Sequence, residues 1–476
     1  MKTSDRQLCL AWVLAVTGLL AFSSAKQVVA EDAVAQKVVG QAFEREILGG
    51  REDHFVAATQ IRLHRVFRQR IEAVDRFCGL NEVQKKKLEL AGRGAIKQLF
   101  ESIEEQKRIF LSPEVAEQNV LTFLQQTPEI GALRVKFRSA PFDDDSLFAK
   151  LLRNVLTPEQ AARYDQRSEL AAASKKAITL ANAGDLVRTA RLPKDVYQIV
   201  WNRDGKQLGL VEFNRRVEIF VPPADQAVRI VGEGKLVVGF DFSPDENVVA
   251  IGENSVKATI INLAAGNEIQ LTTGHAQPSV QFSPDGKLLA TGGYGTKAKL
   301  WSATTGELVR EFDVGPAEGG LTPVFSRDGT VLAVGHRNST TRLFDAASGR
   351  LLHTLNKSMS QGLRFDSTGK TLAVVYVDGS LTLWDVPTGT LKTSVQSPAD
   401  ELYTIDWTPD GSTLVTAGHN SQITLWNPAD LSIVSELASP EWVISARFSP
   451  DGTKLLCAGG NRIPQAERYV ETWAVP

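Results

Sequence analysis

The stretch Phe282-Ser-Pro-Asp-Gly286 is one of seven related five-residue segments in the second part of the chain. The other six are Trp201–Gly205, Phe242–Glu246, Phe325–Gly329, Phe365–Gly369, Trp407–Gly411 and Phe448–Gly452. Their starts are separated by 41, 40, 43, 40, 42 and 41 residues. A near-constant spacing of about forty residues is typical of a repeat architecture.

Each repeat has the pattern of four short strands. An alternating strand ends at the aromatic residue, and the Asp and Gly that follow favour a tight turn. A second apolar strand comes next, and a Gly-led turn, as at Gly306 and Gly349, starts the fourth. The third strand ends in a bulky residue, which is in turn Phe220, Ile261, Trp301, Phe344, Trp384, Trp426 and Trp473. Four strands repeated seven times predict a seven-bladed β-propeller over residues 185–476.

The repeats resemble those of the WD-repeat β-propeller family. Trp384-Asp385 matches the dipeptide that gives the family its name, and Gly274-His275 matches its Gly-His pair. Asp378 matches the family's buried Asp before the third strand, whereas Gly295 stands at that position in the third repeat. The resemblance implies a rigid binding platform in which few blades complete the internal hydrogen-bond network of the family.

The seventh repeat reaches Pro476 directly after its third strand, so its fourth strand is expected from elsewhere in the chain. The segment Gly184–Arg188 is similar to Gly306–Arg310, where a fourth strand starts. We therefore expect residues 186–192 to pair with the last strand of the chain. Such pairing would remove the two exposed sheet edges of an open ring.

Residues 31–180 have the 3.6-residue period of helices. Leu63, Phe67, Ile71, Val74 and Cys78 form one apolar stripe. Asn81 with Gln84, and Thr157 with Gln160, match the capping box that starts a helix. The predicted fold class is therefore multidomain, a helical domain followed by an all-β propeller. Leu156–Gln160 also resembles the LTxxQ motif of small periplasmic stress proteins and chaperones of the Spy type, which implies a chaperone-like role.

Residues 1–25 have the three-part pattern of a secretory signal peptide. Lys2 and Arg6 precede the apolar run Leu8–Phe22, and Ser23–Ala25 supplies small residues for cleavage. The predicted location is secreted or periplasmic, and the alternative is an uncleaved membrane anchor. Cleavage would leave Cys78 and Cys457, expected as two buried free thiols or, alternatively, as one long-range disulfide.

Composition excludes several classes of protein. Apolar residues make up 43% of the chain and charged residues 23%, which is ordinary for a globular protein. The net charge of -2 gives no basic field for nucleic acid. The sequence contains no nucleophile elbow, no His-Glu-x-x-His and no Cys-x-x-Cys, so we predict no catalytic residues, no metal and no cofactor.

The resemblance to WD-repeat propellers implies that the loops after the second strands and the connections between blades form one face of the disc. Aromatic and Arg residues mixed with polar ones suit protein binding there, although an ordinary loop surface would show some of them too. The candidate residues are Arg215, Tyr294, Lys297, His336, Arg337, Tyr376, His419, Trp442 and Arg462.

The sequence favours a non-enzymatic, extracytoplasmic protein-interaction scaffold that binds one or more protein partners. Two alternatives stay open: a stress-response or chaperone-like role of the helical domain, and an enzyme that uses the propeller channel on an extracellular polymer. No nucleic-acid partner is expected, and membrane contact only through an uncleaved N-terminal segment. The oligomeric state is left open.

Overall fold

The helices and strands come from a computed structural model that describes residues 55–110, 147–179, 181–183, 186–212, 216–221, 227–315, 319–336, 340–398, 401–419, 421–439, 441–460 and 468–475. They fall into two compact units. The first contains residues up to Ile71 and Leu80–Leu156, and the second contains Glu72–Gly79 and Thr157–Pro476. The predicted signal segment, residues 1–25, lies outside the described residues.

Five helices precede the strands in the described part of the chain. They are α1 Phe55–Cys78, α2 Glu82–Phe110, α3 Leu147–Val155, α4 Pro158–Asp165 and α5 Arg167–Ala173. None of the described helices is long and apolar enough to cross a membrane.

Apolar stripes bury the helices as their 3.6-residue period predicts. All five residues of the α1 stripe, Leu63, Phe67, Ile71, Val74 and Cys78, are buried. Within the first unit, Phe67 meets Phe148 of α3 edge to face, with ring centroids 5.3 Å apart. Gly92 of α2 faces the Phe67 ring so closely that a Cβ there would lie 1.8 Å from Cζ.

Both predicted capping boxes are confirmed. The Asn81 and Gln84 side chains each accept a hydrogen bond from the other residue's backbone N–H, both at 2.9 Å. Thr157 and Gln160 make the same reciprocal pair at the start of α4. Gln160 Nε2 also donates to the carbonyl oxygen of Gly79 at 2.9 Å. The LTxxQ resemblance of this stretch stays a prediction.

Seven four-stranded antiparallel sheets form the blades of a propeller. The strands are β1 Val187–Pro193; blade 1, β2 Val196–Trp201, β3 Leu208–Glu212, β4 Val217–Phe220 and β5 Arg229–Val231; blade 2, β6 Val237–Phe242, β7 Val248–Glu253, β8 Lys257–Asn262 and β9 Glu268–Thr272; blade 3, β10 Ala276–Phe282, β11 Leu288–Tyr294, β12 Lys297–Ser302 and β13 Leu308–Asp313; blade 4, β14 Leu321–Phe325, β15 Val331–His336, β16 Thr340–Asp345 and β17 Leu351–Ser358; blade 5, β18 Ser360–Phe365, β19 Thr371–Tyr376, β20 Ser380–Asp385 and β21 Leu391–Gln396; blade 6, β22 Leu402–Trp407, β23 Leu414–Gly418, β24 Gln422–Asn427 and β25 Ser432–Ala438; and blade 7, β26 Val443–Phe448, β27 Lys454–Gly459 and β28 Tyr469–Ala474. The predicted seven-bladed propeller is confirmed.

Local hydrogen bonds explain why the Ser-Pro-Asp-Gly stretches turn. In blade 3, Ser283 Oγ donates to Asp285 Oδ1 at 2.6 Å and accepts from the Leu288 amide at 3.0 Å. Gly286 takes the left-handed conformation with φ of 72°. Glu246 occupies the same place in blade 2 with φ of 64°, so the turn survives where the sequence departs from glycine.

The strand expected over residues 186–192 lies at Val187–Pro193 and fills the fourth place in blade 7. It pairs antiparallel with β28, from Val187 opposite Ala474 to Pro193 opposite Tyr469. Arg188 Nη1 donates to Glu471 Oε1 at 2.9 Å across this pair. Leu186 joins the buried cluster that includes Trp473 and Val475.

The interior of each blade is apolar, and the bulky residue near the end of the third strand is buried in all seven blades. Cys457 is fully buried in blade 7 and Cys78 is buried at the end of α1. Both cysteines are free thiols, which confirms the first of the two expectations.

Candidate protein-binding face and central channel

The first strands of the seven blades enclose a central axis. Each of β2, β6, β10, β14, β18, β22 and β26 contacts the first strand of the next blade, and β26 contacts β2. The connections between blades and the loops after the second strands lie at one end of this ring. We call that end the upper face, and the end with the five-residue turns the lower face.

Tyr294 and Lys297 are both exposed on the upper face, on either side of one loop of blade 3. Tyr294 is 49% exposed. The Lys297 side chain is 46% exposed, and its Nζ lies 2.5 Å from Glu311 Oε2. This ion pair lies in water, where such pairs contribute little to stability, so Lys297 stays available to a partner.

His419 and Trp442 are brought together at the junction of blades 6 and 7. Their ring centroids are 3.9 Å apart, with 43° between the ring planes. The backbone N–H of His419 donates to the Glu401 carbonyl at 3.1 Å, which fixes the loop. Both side chains are partly exposed, so the pair presents a pre-ordered aromatic surface.

His336 and Tyr376 are placed differently from the other described candidates. Both side chains are fully buried, each at the last position of the second strand of its blade. Burial raises the pKa of the Tyr376 phenol, whose oxygen accepts a hydrogen bond from Thr382 at 3.3 Å. Neither side chain offers exposed surface, so a role of these two in binding would be indirect. Arg215, Arg337 and Arg462 lie outside the described residues.

Sequence reasoning missed two exposed apolar side chains on the upper face. Leu236 between blades 1 and 2 is 52% exposed, and Val256 of blade 2 is 44% exposed. Their position in the sequence could have identified them, because each is an apolar residue within a loop or blade connection, where polar residues are common. Leu236, Val256 and Tyr294 belong to successive blades or blade junctions.

Sequence reasoning also missed a ring of side chains around the channel near the lower face. The penultimate residue of each first strand contributes to it, and we call this set the channel ring: Val200, Asp241, Gln281, Val324, Arg364, Asp406 and Arg447. The repeat spacing could have revealed it, since each member directly precedes the aromatic residue of its repeat. The channel ring therefore contains two carboxylates, two guanidinium groups and an amide.

Three members of the channel ring tie one blade to the next. Asp241 Oδ2 accepts a hydrogen bond from the backbone N–H of Phe282 at 2.8 Å. Gln281 Oε1 accepts one from the Phe325 N–H at 2.7 Å. Asp406 Oδ2 accepts one from the Phe448 N–H at 2.9 Å. These amides lie on the inner edge of a first strand, where the sheet offers no acceptor. The three side chains thus provide hydrogen-bond acceptors for backbone N–H groups at the strand edges that surround the channel.

The cationic members lie in blades 5 and 7, with Asp406 in blade 6 between them. Arg364 Nε lies 3.5 Å from Asp406 Oδ1. Arg447 Nη1 donates to Thr404 Oγ1 at 2.8 Å and to the carbonyl oxygens of Ile405 and Ala446 at 3.2 and 2.7 Å. Desolvation, followed by repulsion from Arg364, lowers the pKa of Arg447 to about 9.

The pKa of Asp241 is raised rather than lowered, and burial is again the main cause. Burial raises its pKa to about 7, and the Phe282 amide and the charge of Arg364 only partly offset that rise. Desolvation of a carboxyl group disfavours its charged form. Among the described residues no group of three or more His, Cys, Asp or Glu side chains could hold a metal ion.

The comparisons with known proteins agree with this fold. The family model for the WD domain, G-beta repeat, matches residues 266–302 and 388–427. The meiotic recombination protein rec14 of Schizosaccharomyces pombe is 24% identical over 26% of this chain and 42% of its own length. A guanine nucleotide-binding protein subunit beta of Arabidopsis thaliana is 28% identical over 14% of this chain and 18% of its own.

Another relative, the human WD repeat and SOCS box-containing protein 1, is 28% identical over 21% of this chain and 24% of its own length. The chain thus spans less than half the length of each of these relatives. The matched repeats lie in blades 2–3 and 5–6 of the ring. This chain contains WD40 repeats, and they form part of a seven-bladed β-propeller.

Proposed function

We propose that this protein is an extracytoplasmic, non-enzymatic scaffold that binds a protein partner through the upper face of its propeller. The observation that carries the proposal is the set of exposed aromatic and apolar side chains on that face, with Tyr294 and Leu236 about half exposed. A few residues, above all Tyr, Trp and Arg, supply most of the binding free energy of protein interfaces. The WD40 repeats support the scaffold function, and the pattern of residues 1–25 supports the location.

The partner is expected to present an apolar patch with acidic residues at its edge. Leu236, Val256 and Tyr294 would bury against the patch, and Lys297 at the rim would meet the acidic groups. Rim charges mainly change the rate of association, whereas buried apolar contacts determine the rate of dissociation. Raising the salt concentration should therefore weaken binding only modestly.

A binding experiment with the full chain tests the face. Wild type, Tyr294→Ser and Leu391→Ser are used to capture proteins from the extracytoplasmic fraction, and each captured protein is purified and its affinity measured. Leu391 lies on an outer strand and is 48% exposed, so it matches Tyr294 in exposure while lying away from the upper face. We expect Tyr294→Ser to bind at least about tenfold more weakly, a loss of about 1.4 kcal/mol, with Leu391→Ser unchanged. Equal affinities of the three chains would refute the proposed face.

A second experiment tests the location. The protein is expressed with its own N-terminus, the cells are fractionated, and the N-terminus of the recovered chain is sequenced. We expect extracytoplasmic protein that starts near Lys26, because cleavage follows the small residues Ser23–Ala25. Cytoplasmic protein with an intact Met1 would overturn the proposed location and leave the binding face to be judged by its own experiment.

A further inference from the structure

Two arginines lie beside one carboxylate at the lower end of the propeller channel. Arg364 Nε lies 3.5 Å from Asp406 Oδ1, and Arg447 interacts with the same carboxylate from the next blade. Desolvation, followed by repulsion from Arg364, lowers the pKa of Arg447. The other acid of the channel ring, Asp241, lies in blade 2, and burial raises its pKa to about 7. The two guanidinium groups thus share one neighbouring carboxylate, Asp406.

The hydrogen-bond capacity of these arginines is also incompletely used. A guanidinium group has five N–H donors. The Arg447 side chain donates its hydrogen bonds to described residues from Nη1 alone. Its Nη2 and Nε donate to no described acceptor. Arg364 uses Nε toward Asp406 and donates from Nη1 to the Leu363 carbonyl at 3.3 Å, which leaves Nη2 without a described acceptor. Both residues keep partial exposure on the strands that surround the channel.

The nearby polar groups of the channel ring suit the same kind of ligand. Gln281 accepts the Phe325 amide through Oε1, and its amide nitrogen makes no hydrogen bond to a described residue. When protonated, Asp241 becomes an O–H donor. Arg donors, an amide N–H and a protonated carboxyl group all donate hydrogen bonds, and arginine is well suited to oxyanions because its planar fork matches their geometry.

We propose that the lower channel is a binding site for a small oxyanion, a carboxylate or a phosphate, held by Arg447 and Arg364. The low-dielectric walls of the channel would strengthen the interaction because they focus the field of the two cations. The site lies at the lower end of the channel, so it is independent of the proposed binding face. Bound anion would join blades 5 and 7 across Asp406 and stabilise the ring.

The test measures binding of inorganic phosphate and of succinate to the full chain by calorimetry, at constant ionic strength adjusted with sodium chloride. We expect saturable binding of at least one of the two probes and a rise in the melting temperature with its concentration. Stronger phosphate binding would assign the site to phosphate, and stronger succinate binding would assign it to carboxylates. Lack of saturable binding by either probe would overturn the proposal.

Three variants separate the channel from other basic groups. Arg447→Met should weaken binding at least about tenfold, the loss of about 1.4 kcal/mol expected for one charged contact. Arg327→Met removes an exposed arginine from a turn on the same face, outside the channel ring, and should bind like wild type. Equal binding by Arg447→Met and wild type, or equal weakening by Arg327→Met, would contradict the assignment.

The third variant, Asp406→Asn, gives an effect of the opposite sign and keeps the proposal testable if Arg447→Met fails to fold. Asparagine retains an oxygen that can accept the Phe448 amide, but it removes the one permanent negative charge between the two arginines. Anion binding should therefore become several-fold tighter. Unchanged or weaker binding by a folded Asp406→Asn would contradict the proposed role of the two guanidinium groups.

Discussion

Thr291 supports two buried side chains of blade 3 with one hydroxyl group. Trp301 Nε1 donates to Thr291 Oγ1 at 2.9 Å, and His275 Nε2 lies 3.3 Å from the same oxygen. Burial lowers the pKa of His275 to about 4, so its ring is neutral at pH 7. The indole only donates, so the threonine hydroxyl keeps its own proton and a second lone pair for a bond with Nε2 of the neutral ring in either tautomer.

Replacing this hydroxyl should cost more in blade 3 than in blade 6. Thr291→Val leaves both Trp301 and His275 without this hydrogen-bond partner, and each unsatisfied buried group costs about 1–3 kcal/mol. Thr416→Val is the matched control, because among the described residues Thr416 accepts only from Trp426, at 2.8 Å. We expect a larger loss of urea resistance for Thr291→Val. A loss for Thr416→Val as large as that for Thr291→Val would show that the histidine contact contributes nothing.

Asp241 should give the protein a stability that falls as pH rises. Its pKa is about 7 in the folded state and 3.8 as the reference for the unfolded chain. Between these values the folded state binds more protons, so its stability decreases from about pH 4 to about pH 7 and then levels off. The slope for one proton is at most about 1.4 kcal/mol per pH unit.

Asp241→Asn should remove this contribution and flatten the curve above pH 4. The measurement is urea unfolding at several pH values between 4 and 8, with Asp313→Asn as a control at an exposed position of blade 3. The same pH dependence in Asp241→Asn and wild type would show that the carboxyl group does not titrate in this range.

Single-residue placement was the least predictable part of the candidate face. Tyr294 and His419 lie twelve residues after the aromatic residues of their repeats, Phe282 and Trp407, whereas His336 and Tyr376 lie eleven after theirs, Phe325 and Phe365. Successive side chains in a strand point to opposite sides of the sheet. An offset of one residue is therefore enough to move a side chain from an exposed to a buried position. The repeat alignment treated the two offsets as equivalent, and only the structure separates them.

At the scale of elements, the closing pair β1–β28 depends on a buried carboxylate. Glu471 of β28 is fully buried, and burial raises the pKa of its carboxyl group despite Arg188 and Arg191 beside it. Arg188 Nη1 is 2.9 Å from Glu471 Oε1, and Arg191 Nε is 4.0 Å from the same oxygen. Removing the partner of a buried charge costs about 3–5 kcal/mol, more than replacing the charge itself.

Arg188→Met should therefore destabilise the protein more than Glu471→Gln. The first leaves a buried carboxylate with one distant cation, and the second leaves two arginines that remain partly exposed, with side chains 24% and 33% exposed. The double variant should recover part of the loss, because neither charge is then stranded. Denaturant unfolding of the four chains measures the coupling, and strictly additive losses would argue against a pair.

Turn chemistry made the elements themselves predictable. Each Ser-Pro-Asp-Gly stretch encodes its turn within five residues, as the bonds of Ser283 and Asp285 show, so its effect is visible without tertiary structure. The channel ring was not visible in this way. Its members are about forty residues apart in sequence, and they form a set only because seven first strands surround one axis.

For the whole molecule, the ring closes because the segment before the first repeat completes the last blade. Without β1, the edge of β28 would expose the backbone groups that now pair over Val187–Pro193. The cluster containing Trp473 and Val475 would also lose Leu186. Unpaired sheet edges recruit strands from other chains, so an open ring should associate.

Deleting residues 186–192 from the full chain should thus lower the melting temperature by several degrees and produce oligomers. As a control, a chain in which Gly-Ser repeats replace residues 461–467 keeps all four strands of blade 7 and should stay closed. Calorimetry and light scattering, run on both variants at equal concentration, report stability and association. Closure is a property of the entire ring, since β1 joins the first and the last of the seven blades. A monomeric deletion variant with the melting temperature of wild type would mean that packing between the other blades keeps the ring closed by itself.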